Sequence, residues 1–555
     1  MKHLNAPRMR GAFLHAGVWM LENPVAGPLL RQNLLRTIGI PLLREASIQE
    51  GPAITPPLPH FGKEPPLPPG GVFLSLFPAC QGFVSPGSGG FSFISSQDLR
   101  QAFLKGYTTP LAVATRFIEN SRQAAAAKTP MHIFIACNEA DILAQAEKST
   151  LRYREQASLG PLDGVPVAVK DELDLEGYPT TVGTSFLGDT PAREDAEAVA
   201  RLRTAGAVLV GKTNMHEIGI GVTGCNHHHG PARNPYHTDR ITGGSSSGSA
   251  AAVAAGLCPI AIGADGGGSV RIPAALCGVV GLKPTFGRVP EYGAAPLCWS
   301  VAHIGPLGAT VKDVALSYLV MAGPDLKDPA SLRQPPPFLS PVPGDLAGLR
   351  LGIFPAWFSD ADAPVVTACT DMVKALRKAG AVVREITIPG LNLMRIAHLV
   401  TIVSEMATAH QQYYTHRRQD YGPDTRINLC LAHALKSTDY IKAQALRNQL
   451  CQVVYRLFDS VDMIITPTTA CTARPIPPVP TSDLALTDAI MRFATLANLS
   501  GLPALSLPIG YDNDGLPIGM QFMGPAFSED RLLSVAAVAE SFTHRTKPPT
   551  CWSLL

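Results

Sequence analysis

The fold is decided by the stretch from Gly243 to Arg288, which reads GGSSSGSAAAVAAGLCPIAIGADGGGSVRIPAALCGVVGLKPTFGR. Two glycine turns in it carry serines: residues 243–248 read GGSSSG, and residues 265–269 read DGGGS. The sequence between the two turns consists mainly of small and apolar residues. Because glycine tolerates positive φ and lets a backbone N–H approach a ligand, each turn can present a serine oxygen beside unhindered amides.

A serine hydroxyl beside free amides indicates acyl-transfer chemistry, in which the amides stabilise an oxyanion. The hydroxyl is a weak nucleophile until a neighbouring base takes its proton. Upstream, the apolar run Val165–Val169 predicts a buried strand that ends at Lys170. Burial favours the neutral, basic form of a lysine. Asp171 comes next and is expected on the opposite face.

Together these residues resemble the amidase signature family. The resemblance implies a catalytic triad of Lys170 as base, Ser245 held by a cis peptide bond as relay, and Ser269 as nucleophile. It also implies an acyl-enzyme intermediate that water cleaves, and it calls for no metal or organic cofactor. The fold it implies is α/β: a central mixed, twisted sheet covered by helices on both faces, here with an N-terminal helical extension.

Further landmarks of that family extend the resemblance over roughly residues 95 to 545. They are GKTNMHE at 211–217, RNP at 233–235, TPT at 466–468, NLSGLP at 498–503 and GLPIGMQ at 515–521. Within the family the sequence is most similar to plant-type fatty acid amide hydrolases. That narrower likeness depends on MHEIG at 215–219, Ser247 and the triple glycine 266–268.

Other residues of the segment receive secondary roles. The backbone N–H groups predicted to hold the oxyanion belong to Gly266, Gly267, Gly268 and Ser269. Gly219 is a candidate substrate contact. Ser246 is expected to support backbone geometry, and Asp265 and Arg271 to anchor the nucleophile turn by charged hydrogen bonds.

Four local patterns imitate other sites. Residues 206–213 fit the phosphate-loop pattern, but their variable positions, AVLV, predict a buried strand. Residues 219–224 fit the dinucleotide fingerprint without its preceding strand and following helix. Residues 244–248 fit the nucleophile elbow, which would make Ser246 the nucleophile, yet no later Asp and His stand out. The run His227–His229 favours a polar loop, since consecutive residues rarely converge on one ion.

Composition is typical of an intracellular enzyme. The chain has 555 residues, 46% hydrophobic and 16% charged, which suffices for a large core. A net charge of +2 gives no electrostatic reason to expect a nucleic-acid partner. The 11 cysteines include no CxxC pair, which indicates free thiols in a reducing compartment. We therefore expect a cytoplasmic or peripheral membrane location.

Three parts are expected along the chain. Residues 1–50 form an apolar helical extension, whose Phe13, Trp19 and Leu29 suit helices lying on a membrane, packing on the enzyme or meeting a second subunit. The uncharged run Gly11–Leu21 is too short to span a bilayer. Residues 51–94 form a linker, with eight prolines between 52 and 71. Residues 95–555 form the catalytic domain, with a helical, lid-like region at about 391–458.

The function expected is hydrolysis of carboxylic amides, with lipid-like fatty acid amides such as N-acylethanolamines favoured. A homodimer is expected. Two alternatives remain: a broad amidase, esterase or carbamate hydrolase acting on short or aromatic substrates, and a glutaminyl-tRNA amidotransferase subunit. An amidase-like scaffold without catalysis is disfavoured because all three residues of the triad are present.

Overall fold

The core of the computed structural model, which describes residues 8–48 and 89–555, is one mixed sheet of eleven strands. The strands are β1 (Phe134–Ala136), β2 (Pro166–Lys170), β3 (Val208–Thr213), β4 (Ile260–Ala264), β5 (Val280–Lys283), β6 (Ile304–Gly308), β7 (Arg350–Ile353), β8 (Val382–Glu385), β9 (Met463–Pro467), β10 (Ala504–Tyr511) and β11 (Pro517–Met523). Their order across the sheet is β8-β7-β9-β11-β10-β5-β6-β4-β2-β3-β1.

Parallel and antiparallel pairs alternate in blocks across this sheet. Strands β4, β2 and β3 are mutually parallel neighbours, and so are β8, β7 and β9. The strands between these blocks pair antiparallel. Three short two-stranded pairs lie outside the sheet: Met9–Arg10 with Thr481–Ser482, Gly89–Gly90 with His544–Arg545, and Arg233–Asn234 with His237–Ile241.

Helices flank the sheet, as the sequence predicts for an α/β fold. They are α1 (Gly11–Glu22), α2 (Gly27–Thr37), α3 (Ile40–Glu45), α4 (Ser96–Leu104), α5 (Pro110–Ala126), α6 (Glu139–Arg154), α7 (Glu197–Thr204), α8 (Ser247–Ala254), α9 (Arg271–Cys277), α10 (Val311–Met321), α11 (Pro355–Phe358), α12 (Ala363–Lys378), α13 (Leu391–Ala409), α14 (Gln411–Arg417), α15 (Pro423–Ala432), α16 (Ser437–Leu457), α17 (Leu484–Met491), α18 (Thr495–Ser500) and α19 (Glu529–Glu540). The predicted α/β class with a mixed sheet is confirmed.

Local sequence signals account for several boundaries. The Thr109 side chain accepts a hydrogen bond from Ala112 N at 3.1 Å, and Pro110 occupies the first helical position of α5. The apolar run before Lys170 forms β2, and every residue of that strand is buried. The strand predicted within residues 206–213 forms as β3, from Val208 to Thr213.

The N-terminal extension is helical and packs on the body of the protein. Leu14, Val18 and Leu21 of α1 lie in one apolar cluster with residues of α15. Glu22 forms an ion pair with Arg426, with 2.6 Å between the closest atoms. The proline-rich stretch 52–71 lies outside the described residues, so the linker remains a prediction.

The region predicted to form a helical lid contains four helices, α13 to α16. Helix α13 packs against α16, α18 and α15, and it also contacts α3 of the N-terminal extension. Its residues therefore reach from the glycine turn at 265–269 to the N-terminal helices.

Candidate active site

Lys170 ends β2 and is fully buried in the centre of the parallel block β4-β2-β3. Its Nζ donates to the Ser245 hydroxyl oxygen at 2.9 Å and to the carbonyl oxygen of Ala264 at 3.2 Å. The carboxylate oxygen Oε2 of Glu172 lies 2.6 Å from the same nitrogen. The side chain therefore points at the serine turns, while its neighbour Asp171 points elsewhere.

The turn at 243–248 leads from β-structure into helix α8. The peptide bond between Gly244 and Ser245 is cis. The Ser245 carbonyl accepts hydrogen bonds from His216 N at 3.0 Å and from Ser247 N at 2.9 Å. These contacts orient the Ser245 backbone so that its hydroxyl faces Lys170. The Ser246 hydroxyl donates to Ala264 O at 3.3 Å, the same carbonyl oxygen that Lys170 Nζ contacts.

The second turn, residues 265–269, lies against the first. Ser246 N donates to the Ser269 carbonyl at 3.2 Å, which places the two serine turns side by side. Gly268 has φ of +116°, which glycine tolerates and other residues rarely adopt. A Cβ at Gly268 would also lie only 2.5 Å from Ile272 Cδ1 and 2.6 Å from Ala494 Cβ.

The backbone amides of this turn divide into two groups. Gly268 N–H donates to the Asp265 carboxylate at 2.6 Å and is already occupied. Within the described residues, the N–H groups of Gly266, Gly267 and Ser269 donate no hydrogen bond. Three amides of the four predicted oxyanion donors are therefore free to meet a ligand.

Asp265 and Arg271 form a buried ion pair beneath the turn. The carboxylate accepts from Arg271 Nε at 2.9 Å and Nη2 at 3.0 Å, and from Val270 N at 3.1 Å. Arg271 also donates to Gln521 and Asn498. Burial by itself raises the pKa of Asp265, but the charge and hydrogen bonds of Arg271 outweigh it and hold that pKa far below its usual range.

A histidine from α13 fixes the other side of the turn. His398 Nε2 lies 2.8 Å from the Gly266 carbonyl oxygen, and the imidazole is buried. Burial lowers the pKa of His398 to about 4 and outweighs the opposing hydrogen bond, so the ring is neutral at neutral pH. Its Nε2 must then carry the hydrogen that the carbonyl accepts. In a trans peptide the C=O and the following N–H point in opposite directions, so this bond turns Gly267 N–H away from His398.

Ser269 lies at the edge of this arrangement and retains 5% of its exposure. Its hydroxyl donates no hydrogen bond within the described residues, so only the Lys170–Ser245 half of the predicted relay is closed by hydrogen bonds. A substrate-facing nucleophile needs a free hydroxyl, and general-base contacts often tighten only when substrate binds.

Gly219, the candidate substrate contact, also lies near the relay. Its φ is +75°, and a Cβ at this position would be 3.7 Å from Ser245 Oγ and 2.8 Å from Leu297 Cδ2. The neighbouring Ile218 also has positive φ, +46°, in a short 3-10 turn over Glu217–Gly219. This segment therefore borders the relay serine as backbone, without a side chain between them.

The misleading motifs fold as ordinary structure. Residues 208–213 of the phosphate-loop pattern are strand β3, buried throughout. In the histidine run, His228 Nε2 lies 2.7 Å from Glu217 Oε1, and His229 Nε2 lies 3.1 Å from the Thr184 carbonyl. In the parts of the chain that are described, no three His, Cys, Asp or Glu side chains form a group able to hold a metal ion.

Sequence reasoning missed three groups at the site. Glu172 stands two residues after Lys170, in the turn that follows β2, so its contact with Lys170 is local in sequence. His398 and Asn498 are 132 and 233 residues from the turn they bind. No local pattern marks such distant partners.

Comparison with known proteins agrees with this geometry. The sequence profile of the Amidase family matches residues 117–533. A fatty acid amide hydrolase of Oryza sativa subsp. japonica is 37% identical, over 99% of this chain and 95% of its own length. A glutamyl-tRNA(Gln) amidotransferase subunit from Thioalkalivibrio sulfidiphilus is 35% identical, over 81% of this chain and 98% of its own length.

The fold comparison gives the same class. The structure of the peptide amidase from Stenotrophomonas maltophilia superposes with a TM-score of 0.71 at 28% identity, covering 82% of this chain and 98% of that one. The mixed sheet is thus that of an amidase. The chain belongs to the amidase family, and it is an amide hydrolase.

Proposed function

We propose that this protein hydrolyses fatty acid amides, with Ser269 as nucleophile, Ser245 as relay and Lys170 as base. The observation that carries the proposal is the 2.9 Å hydrogen bond between Lys170 Nζ and Ser245 Oγ, buried beside a glycine turn with free amides. This hydrogen bond joins the proposed base to the proposed relay hydroxyl, next to Ser269, which keeps partial exposure.

In the proposed reaction the Ser269 hydroxyl attacks the amide carbonyl. Its proton passes to Ser245 Oγ while the Ser245 proton passes to Lys170, so Ser245 keeps its proton count and the lysine gains one. The free N–H groups of Gly266, Gly267 and Ser269 are the donors available to the oxyanion. Lys170 then returns its proton through Ser245 to the leaving amine, and water cleaves the acyl-enzyme by the same route.

An apolar cavity of about 120 Å³ next to the glycine turn supports a fatty acyl substrate. His398 and Met491 line the cavity, and a Cβ at Gly267 would lie 3.0 Å and 2.8 Å from their respective atoms. The cavity extends to Leu35 and Ile38 of the N-terminal extension. His398 links the cavity to the glycine turn, because its ring lines the cavity and binds the Gly266 carbonyl oxygen.

The extent of the similarities separates this proposal from the tRNA amidotransferase alternative. The rice fatty acid amide hydrolase aligns with 99% of the chain, whereas the amidotransferase subunit aligns with 81%. The N-terminal helices supply part of the cavity wall, so a relative that matches nearly the whole chain is the better guide to what occupies it.

The test is release of ethanolamine from a long-chain N-acylethanolamine, measured beside a short aliphatic amide and an aromatic amide. We expect kcat/KM for the long chain to exceed that for the short amide, and Ser269→Ala to abolish both. Turnover of short or aromatic amides alone would overturn the fatty acyl assignment and keep the amidase. Turnover that survives in Ser269→Ala would overturn the nucleophile.

A cavity-filling variant tests the acyl pocket itself. Leu399→Trp places a larger side chain in the cavity wall. Because each buried methylene contributes about 0.8 kcal/mol, excluding a few of them should lower long-chain kcat/KM by about tenfold or more. Short-amide turnover should stay nearly constant. Leu104→Trp, at an exposed site on α4, is the matched control.

We further propose that the outer face of the N-terminal helices lies on a membrane surface. Helix α1 buries one face on α15, and its other face leaves Phe13 84% and Trp19 67% exposed. Leu29 of α2 is 70% exposed. Within the described ranges, no helix has both the length and the apolar character needed to cross a bilayer. Large apolar side chains on a helix surface favour interfacial binding.

Basic side chains adjoin this apolar face. Arg31, Arg36, Arg44 and Lys436 line a cavity of about 320 Å³ between α2, α3 and the start of α16. Arg44 is paired with Asp439 at 2.8 Å, while Arg36 has no side-chain partner among the described residues. The surplus of positive charge suits the phosphate groups of anionic lipids.

Co-sedimentation with vesicles tests the membrane proposal. We expect binding to phosphatidylcholine vesicles containing phosphatidylglycerol, weakened in Phe13→Ala/Trp19→Ala. Tyr107→Ala, which removes an exposed aromatic ring from another surface, is the control. Equal binding by all three proteins would overturn the assignment. A shift from dimer to monomer in the double variant, without vesicle binding, would assign the face to the homodimer that the sequence analysis expects.

A further inference from the structure

The Lys170 side chain has a third partner that the proposed triad does not use. Glu172 is buried, with 6% of its side chain exposed, and its Oε2 lies 2.6 Å from Lys170 Nζ. The angles of this approach are not those of a hydrogen bond, so the contact is an ion pair. No other described group donates a hydrogen bond to that oxygen. A carboxylate is thus in direct contact with the proposed base.

The three groups around Nζ satisfy both protonation states of the lysine. In the ammonium form, two N–H donors meet Ser245 Oγ and Ala264 O, and the positive charge pairs with Glu172 Oε2 at 2.6 Å. A neutral amine has two N–H donors and one lone pair. It can donate to Ala264 O while the lone pair receives the Ser245 hydroxyl proton. The same cage therefore serves the lysine before and after it takes a proton.

We propose that Glu172 is a positioning residue for the reaction, a carboxylate that stabilises the Lys170 ammonium formed when the relay delivers its proton. This inference depends on the proposed role of Lys170 as base. The nearest analogy is the aspartate of a Ser-His-Asp triad, which orients the histidine and stabilises its charged form without itself being protonated. In the proposed step Glu172 acts through its charge, and the proton moves only between Ser269, Ser245 and Lys170.

Other titratable groups near Lys170 do not take this role. Burial first, and then Asp328, Glu172 and Glu405, raise the pKa of Glu291 well above its usual range, which disfavours its charged form. Burial also raises the pKa of the Cys298 thiol well above its usual value. Glu405 is engaged by Ser300, whose hydroxyl donates at 2.6 Å and whose N–H donates at 3.0 Å.

Two other carboxylates near the site, those of Asp171 and Asp265, are each paired with a cation. Asp171 lies 3.3 Å from Lys212 Nζ and accepts from Gly183 N at 3.0 Å, so it faces away from Lys170. Asp265 is neutralised by Arg271. Glu172 is consequently the carboxylate in direct contact with the base.

The sign of its effect follows from charge. A negative group beside an amine favours the ammonium and delays the appearance of the free base as the pH rises. Replacing Glu172 with Gln removes the charge and keeps the shape. The neutral amine should then form at lower pH, while the ammonium that must form during catalysis becomes less stable. The acid limb of the pH–rate profile should shift to lower pH, and the rate at the plateau should fall.

The experiment is the rate of Ser269 labelling by a fluorophosphonate, measured from pH 5 to 10. This reaction reports the nucleophile without depending on which amide is the substrate. In Glu172→Gln we expect the half-maximal pH to fall by about one unit or more, as an opposite charge at contact distance implies. Glu172→Asp keeps the charge, so its half-maximal pH should lie closer to that of the unmodified protein than the half-maximal pH of Glu172→Gln does.

Glu405→Gln is the matched control, because it removes a buried negative charge that does not contact Lys170. Thermal unfolding of each variant separates stability from reactivity. An unshifted limb in a folded Glu172→Gln protein, or an equal shift in Glu405→Gln, would overturn the role of Glu172. If Glu172→Gln does not fold, Glu172→Asp decides alone. Its shorter side chain lengthens the distance between carboxylate and amine, so the acid limb of the pH–rate profile should shift part of the way to lower pH. Absence of labelling in the unmodified protein would instead overturn the proposed nucleophile.

Discussion

Lys170 and Lys212 are two fully buried lysines in neighbouring parallel strands, and the difference between their surroundings explains why one is a candidate base. Lys170 Nζ meets a serine hydroxyl, a carbonyl and Glu172. Lys212 Nζ lies 3.3 Å from Asp171 Oδ1 and donates to Pro179 O at 3.2 Å and Thr180 Oγ1 at 3.0 Å. Burial is equal, so burial alone does not make a base.

Each lysine contacts a hydroxyl group, but the two hydroxyl groups have different further partners. The Thr180 hydroxyl donates to Asp174 Oδ1 at 2.7 Å, so its proton is committed to a carboxylate. Ser245 lies in the turn that contacts the Ser269 loop, and its proton can move to Lys170. A hydroxyl serves as a relay only where its proton is free and a second hydroxyl lies beyond it.

The largest expected effect comes from Lys170→Met. Removing the base should lower the rate of Ser269 labelling by about 10,000-fold, because members of such a unit act together. The measurement is second-order labelling rate at pH 8. The double variant Lys170→Met/Glu172→Gln, which leaves no unpaired carboxylate, should be equally slow with a normal unfolding temperature. Labelling within tenfold of the unmodified protein would remove Lys170 from the reaction.

Lys212→Met should lower the stability of the protein and leave the labelling rate nearly unchanged. It leaves Asp171 buried without its cation, and breaking one partner of a buried ion pair costs about 3–5 kcal/mol of unfolding free energy. Labelling per folded molecule should change little. Chemical denaturation and labelling on the same samples make the comparison. Because the variant risks poor folding, Lys212→Met/Asp171→Asn removes both charges and should recover part of the stability. A slow but stable Lys212→Met protein would contradict the division of roles.

Sequence reasoning and structure can be compared on the same two lysines. The apolar run before Lys170 and the alternation of side chains placed Lys170 and Asp171 on opposite sides, and both follow from the geometry of a strand. The strand at 208–213 was equally predictable from its residues, against the phosphate-loop pattern it imitates. Local rules were sufficient wherever a residue's environment is set by its own strand.

The same reasoning failed where contacts cross the fold. Asn498, which donates to the Asp265 carbonyl oxygen at 2.7 Å, is 233 residues away from it in the sequence. His398, which binds the Gly266 carbonyl, comes from a helix with no motif of its own. These groups meet because α13 and α18 pack over the turn, and packing of distant segments has no local signature. Glu172 lay within local reach, but its polar type gave no reason to place it inside.

The pH dependence of labelling provides a finer test of the comparison. Only a neutral amine accepts the Ser245 proton, so the labelling rate should rise with pH until the lysine is fully deprotonated. Burial lowers the pKa of His398 to about 4, so this ring stays neutral above about pH 5 and adds no limb there. Asp171→Asn, which alters the Lys212 pair, should leave the profile unchanged. A profile that is flat between pH 6 and 9 would contradict lysine as the base.

The smallest expected effect is that of Thr180→Val, which removes one hydrogen bond to Lys212 and one to Asp174. Each such bond contributes about 0.5–1.5 kcal/mol, so unfolding free energy should fall by about 1–3 kcal/mol. Labelling rate and its pH profile should not move, because the Thr180 hydroxyl lies on no proton path to Ser269. Ser245→Ala, the corresponding loss beside Lys170, should slow labelling by orders of magnitude at little cost in stability. If Thr180→Val also slowed labelling while the protein stayed folded, the two lysine environments would be coupled, and the separation between structural and chemical lysine would fail.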